Sequence, residues 1–240
     1  MKNTQLLVLT CLLLLTASGS FAQSNLLKRA KEAAMGKGAG LSSQDVANGL
    51  KEALSQGASK GSDQASKVDG FFGNPQIKIP FPPEVQNVEQ KLRAVGLGGK
   101  VDEFVLSLNR AAEDAATEAK PIFVKAITSM TVEDAFGILR GEKNSATQYL
   151  KRTTTPDLTT AFTPVIQASL DKVNATKLYA DLITTYNKIP LVKKVNPNLT
   201  EYATQKAMDG MFTLVEKEEA NIRDNPAART TDLLKKVFSK

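Results

Sequence analysis

The chain has 240 residues, no histidine, no tryptophan and a single cysteine, Cys11, which excludes a Ser-His-Asp triad, an imidazole base near neutrality and an ordinary zinc site. An enzyme built on it would rely on carboxylates, Lys, Tyr or a Ser activated by Lys. The net charge of +6 is spread along the chain in short clusters, Lys28-Arg29-Lys31 and Lys235-Lys236 among them, a pattern that argues against nucleic acid and for a mild, salt-sensitive attraction to anionic surfaces.

The N-terminus has three parts. Met1-Lys2-Asn3 is basic, Leu6 to Ala17 carries no charge, and Ser20 and Ala22 are small residues placed for a cut before Gln23. This predicts a secretory signal peptide over residues 1–22 and a periplasmic or secreted protein. The apolar core is shorter than the ~20 residues a membrane span needs. Cys11 is not a lipidation site, because "VLTC" lacks a small residue just before the cysteine and the apolar run continues past it. Cleavage removes Cys11, so the mature chain has no disulfide available to it and a hydrophobic core must hold it.

Residues 23–45 are rich in Ala, Gly, Ser and Lys and are expected to be flexible or weakly helical. From Val46 the pattern becomes helical. Ser42 or Ser43 caps a helix whose stripe, Val46, Leu50, Ala53 and Leu54, is thin enough to predict loose packing. The next stretch, "GFFGNPQIKIPFPPEVQ" (Gly70 to Gln86), cannot be helix. Prolines at 80, 82 and 83 also exclude a central strand, which leaves an extended strap. Its apolar side chains are Phe71, Phe72, Ile77, Ile79 and Phe81. Two readings stand: they cover the helices, or they form a surface for a lipid, peptide or protein partner.

A short helix follows from Glu84, ended by "GLGG". The strongest apolar face then runs from Val101 through Phe104, Val105, Leu108 and a series of alanines to Met130, with a kink or restart expected at Pro121. Thr131 and Asp134 have the spacing of a capping box. "SATQYLKR" is a helical piece, and Thr155-Pro156-Asp157 has the form of a new helix start. Leu178, Leu182 and Ile183 belong to the next helix, a long helix spans about 200–223, and Thr230 or Thr231 caps a last one. The sequence therefore predicts an all-α, single-domain irregular bundle over residues 46–240, with about eight helices and an extended proline-rich strap.

Few residues suggest chemistry. Phosphate-loop and EF-hand patterns are absent, and Ser169 with Lys172 makes an isolated S-x-x-K without companion motifs. No cofactor or metal site is expected. Glu219 lies on the apolar stripe of its helix, four residues after Val215 and three before Ile222, and a carboxylate there wants a partner. Arg223 supplies one locally at i+4, or Arg110 supplies one from across the bundle. Asn109 and Glu113 flank the central apolar face. These five residues read as a buried polar network, or Glu113 and Glu219 read as a catalytic pair for glycosidic bonds.

Three strings, "GFFGNPQIKIPFPPEVQNVEQKLRAVGLGGKVDEFVLSLNRAAEDAATEAKPIF", "AFGILRGEKNSATQYLKRTT" and "DGMFTLVEKEEANIRDNPAARTTDLLKKVF", carry a likeness that runs from about residue 46 to 238. In matching order, they resemble the exported bacterial family catalogued as domain of unknown function 4197. The resemblance implies an envelope protein with a mainly helical domain, and it brings no activity or catalytic residue. The expectation is a periplasmic, non-enzymatic binding or structural protein with an envelope component or protein as partner, no nucleic acid, and no membrane span once the signal is cut. The alternative is a carboxylate-dependent hydrolase of cell-wall glycan.

Overall fold

The computed structural model describes residues 42–188, 190, 191, 193–229, 235 and 237. The expected signal peptide over residues 1–22, residues 23–41 and nearly all of the helix expected after Thr230 lie outside them. Eight α-helices and no strand occur among the described residues. They are α1 (Ser43–Ala65), α2 (Gln86–Ala94), α3 (Gly98–Ala116), α4 (Ala119–Thr128), α5 (Val132–Arg140), α6 (Ser145–Lys172), α7 (Ala175–Tyr186) and α8 (Leu199–Asp224), with 3-10 turns at Pro83–Val85 and Pro226–Ala228. The all-α, single-domain architecture matches the sequence, but the membership of the eight helices differs in two places.

The first difference is α6. Pro156 does not start a helix; α6 runs unbroken past both Pro156 and Pro164. The reason is a stripe four residues apart, in which Leu150, Leu158, Phe162, Ile166 and Leu170 are fully buried. Both prolines sit on the opposite, exposed face. On an exposed face a carbonyl that loses its amide partner has solvent within reach, and core packing outweighs the local breaking tendency. Neighbouring threonines bond back into the same helix, Thr155 Oγ1 donating to the Lys151 carbonyl at 2.6 Å and Thr160 Oγ1 to that of Pro156 at 3.0 Å.

The second is one of position: the restart expected at Pro121 on the long apolar face occurs, but slightly earlier, with Thr117 and Glu118 between α3 and α4. Pro121 then falls in the first turn of α4, where its missing N–H has no intrahelical partner to lose. The capping box forms: Thr131 Oγ1 accepts the Asp134 amide at 3.0 Å, and the Asp134 carboxylate accepts the Thr131 amide at 3.0 Å.

Helix α1 packs tightly, contrary to the loose packing its thin stripe predicts. Val46 is only half-buried, whereas Ala47, Leu50, Ala53, Ala58 and Ala65 are buried. Small side chains let α1 lie close against α8, α4 and α5. Helices α3, α6 and α8 share the centre of the bundle. On α3, Ala111, Ala112, Ala115 and Ala116 are all fully buried.

The strap crosses this bundle. It leaves α1 through Gly70, where a Cβ would stand 2.4 Å from the Ala65 carbonyl oxygen. Turns follow, with the amides of Ile77 and Lys78 both donating to the Asn74 carbonyl. Phe71, Ile77, Ile79 and Phe81 are buried. Phe71 and Ile77 lie on Gly210 of α8: a Cβ at Gly210 would stand 2.5 Å from Phe71 Cε1 and 3.2 Å from Ile77 Cβ. Glycine inside a helix costs up to about 1 kcal/mol relative to alanine. Here it makes the space in which the strap seats its ring.

Candidate functional site

The polar residues picked out from the sequence form two separate clusters. On α3, Asn109 is fully buried and holds the strap like a neighbouring strand: its Oδ1 accepts the Ile79 amide at 2.8 Å and its Nδ2 donates to the Ile79 carbonyl at 2.8 Å. Glu113 Oε1 accepts the amides of Phe71 and Phe72 at 3.0 and 3.1 Å, while Oε2 accepts Arg110. Arg110 also reaches Asp69 at 2.8 Å, and these two carboxylates hold the guanidinium protonated, raising its pKa. Phe72 is half-buried under the Lys78 ammonium, 4.0 Å from the ring centre.

Glu219 belongs to the second cluster. Its pairing is local: Arg223 donates through Nε at 3.0 Å and Nη2 at 2.8 Å. Arg110 does not reach it, being spent on Glu113 and Asp69. The rest of the Glu219 carboxylate faces the start of α6, accepting the Ala146 amide at 3.0 Å, the Thr147 amide at 2.9 Å and the Thr147 hydroxyl at 2.8 Å. Asn144, at the cap position of α6, makes no side-chain cap bond. Glu219 therefore caps α6 from across the bundle, placing a negative charge at the positive end of the helix. A void of about 10 Å³ borders it, about the volume of a single water.

These contacts fix what the carboxylates can do. A glycosidase needs one carboxyl to carry a proton to the leaving oxygen and another facing the sugar. Both oxygens of Glu113 and both of Glu219 already accept two or more hydrogen bonds or a guanidinium, from backbone amides, arginines and the Thr147 hydroxyl. Neither is aimed at an open cleft. The arrangement fastens the strap to α3 and α6 to α8.

An apolar opening lies elsewhere. A groove of about 730 Å³ runs between α3 and α7, with Leu92 of α2 and Val173, just past the end of α6, at its edges. That volume is within the range of small-molecule sites. Its floor is a line of rings: Phe81 and Phe104 lie 5.2 Å apart, and Phe104 and Tyr179 lie 6.1 Å apart, nearly parallel. Burial pushes the Tyr179 hydroxyl up to about 12, so it stays neutral. Leu97, Val173 and Leu178 are 45%, 56% and 61% exposed at the mouth. Helix α2, which borders the groove, has no buried residue.

Charges ring this groove, and most are engaged. Lys100 pairs with Glu103, Arg110 with Asp69 and Glu113, and Asp114 accepts the Ser169 hydroxyl at 2.7 Å. Lys172 also lines the groove and has no ion-pair partner among the described residues. Ser169, held by Asp114, is not activated by Lys172 in the manner of an S-x-x-K nucleophile. No group of three metal-ligating side chains occurs among the described residues, and no helix among them is long and apolar enough to cross a membrane.

Of the sequence-predicted residues, only Phe81 and Arg110 touch this groove. The others sequence reasoning missed. The available signal was α7, where Leu178, Tyr179, Leu182, Ile183 and Tyr186 make an apolar arc wider than one contact face. Ile183 and Tyr179 fill the core and leave Leu178 outside.

The sequence profile of the family described as "Protein of unknown function (DUF4197)" matches residues 40–239. The chain belongs to the DUF4197 family. No curated protein and no solved structure matches it. The match spans every helix of the DUF4197 fold described above, including the strap and the groove.

Proposed function

We propose that this DUF4197 protein is exported and acts as a non-enzymatic binding protein for an amphiphile with an apolar chain and an anionic head. One observation carries the reading: an open groove with a ring-lined apolar floor and exposed aliphatic mouth residues, next to Lys172, whose ammonium has no ion-pair partner among the described residues. Exposed apolar patches of this kind mark contact sites. The chain would lie along Phe81, Phe104 and Leu178, and the head would meet Lys172. The strap supports the site from beneath by placing Phe81 in the floor. Engagement of Glu113 and Glu219 by backbone amides and arginines favours this reading over a glycan hydrolase.

The test is titration of the protein with a fluorescent long-chain fatty acid. Saturable uptake is expected. Leu178→Asp, at an exposed position, should leave the fold intact and weaken uptake roughly tenfold or more, from the lost apolar contact. Lys172→Glu should weaken uptake of the acid and spare the corresponding alcohol. Absence of uptake by the wild type, or uptake indifferent to both substitutions, refutes the proposal. Export is checked separately by sequencing the N-terminus of the protein from the envelope fraction, where Gln23 should come first.

A further inference from the structure

The segment joining α7 to α8 is built as a projecting loop. Asn187 and Val195 close its neck with a reciprocal pair: Asn187 Nδ2 donates to the Val195 carbonyl at 2.8 Å, and the Val195 amide donates to Asn187 Oδ1 at 2.9 Å. Both sides of the neck are anchored. The Asn187 amide bonds the Ile183 carbonyl at 2.8 Å, and Val195 is buried. Beyond the neck, Asn198 caps α8 by accepting the Glu201 amide at 3.1 Å.

The tip is the opposite of what a solvated loop tip carries. Leu191 is completely exposed, more so than any other large apolar residue in the described chain, and its backbone is left-handed at φ 66°. A branched apolar residue is unfavourable there. Among the described residues the two other non-glycine residues with positive φ are Asp69 and Asn174, residue types that tolerate it. Pro190 beside Leu191 is exposed as well, and in sequence these two stand in the apolar string Ile-Pro-Leu-Val between Lys188 and Lys193-Lys194. All three lysines are exposed and have no ion-pair partner among the described residues. No acidic residue occurs from 188 to 200.

We infer that this loop is a membrane-surface contact that seats Leu191 in the interface of an anionic bilayer while Lys188, Lys193 and Lys194 meet the phosphates. An apolar tip collared by cations is the arrangement that interfacial binding selects. The charge complementarity singles out a negatively charged lipid surface: the collar carries three positive charges and no negative one. The closed neck holds the tip away from the bundle without a helix having to span the bilayer. The inference goes beyond groove binding and does not depend on it.

The experiment is flotation of the purified protein, as its host processes it, with vesicles of mixed phosphatidylglycerol and phosphatidylcholine or of phosphatidylcholine alone. Binding is expected to the anionic vesicles only and to fall with added salt. Replacing Lys188, Lys193 and Lys194 together with Gln should weaken it roughly a hundredfold, at about fivefold per lysine. Leu191→Ser should weaken it roughly tenfold. Leu178→Asp, in the groove, should keep the preference for anionic vesicles, which separates this test from fatty-acid uptake. Circular dichroism verifies that the variants fold. Equal binding to both vesicles, no binding by the wild type, or loop variants that bind like the wild type overturns the inference. So does a Leu191→Ser variant whose only change is dissociation of a dimer, since the tip would then be a self-association surface.

Discussion

Replacing Glu219 with Ala removes the cap of α6 and half of a buried ion pair in one step. In the wild type this carboxylate, 4% exposed, satisfies two backbone amides, one hydroxyl and a guanidinium. Loss of a cap alone costs about 1 kcal/mol, and breaking a buried charge pair costs about 3–5 kcal/mol. The two overlap, because the same oxygens serve both. Arg223 keeps one partner, the Ile138 carbonyl at 3.0 Å, which limits the damage at its end. The expected loss for Glu219→Ala is therefore about 3–5 kcal/mol, equivalent to about 6–20 °C in Tm for a domain of this size. Glu219→Gln retains one acceptor oxygen but sets an amide NH2 against donors, and about 1–3 kcal/mol is expected. Adding Arg223→Ala to Glu219→Ala should cost less than the sum of the two, since the arginine is no longer left unpaired. Urea unfolding followed by far-ultraviolet circular dichroism measures all three. A Glu219→Ala protein within about 1 kcal/mol of the wild type, or more stable than it, refutes the capping argument. That second outcome is what a catalytic carboxylate held at the expense of stability would produce.

Two further substitutions probe the strap and a local cap. Gly210→Ala should lower stability by about 1–2 kcal/mol despite the better helix propensity of alanine, because overpacking against the buried Phe71 ring outweighs that gain; it should also speed proteolytic cleavage between Gly70 and Pro82, and a raised Tm would contradict the packing argument. Thr131→Ala should cost about 1 kcal/mol at neutral pH. The Thr131 hydroxyl, and then its amide, hold the Asp134 carboxyl below its ordinary value of 3.8. A depressed folded pKa stabilises above the unfolded value and is lost as pH falls through the folded one. The gap between wild type and Thr131→Ala should therefore narrow in acid unfolding curves below about pH 4, and a gap that widens there would contradict it.

What could be read in the sequence alone follows from the reach of the interactions. The Thr131–Asp134 box spans three residues, the helical stripes repeat every three or four, and the prolines of the strap forbid helix wherever the chain goes. Those features depend on neighbours along the chain, so the all-α class and the strap were legible without coordinates. The oddity of Glu219 was legible for the same reason, since its stripe and Arg223 lie within one turn. Its second partner was not: the amides of Ala146 and Thr147 are more than seventy residues away. Continuity of α6 through Pro156 also waited on tertiary structure, because only the burial of Leu158, Phe162 and Ile166 against other helices makes an unbroken helix worth its missing bonds. The groove waited for it too. Leu178 and Ile183 look alike on a helical wheel of α7, yet one is 61% exposed and the other fully buried. Which apolar face remains open is set by the helices that pack beside it, and that depends on the arrangement of the whole bundle.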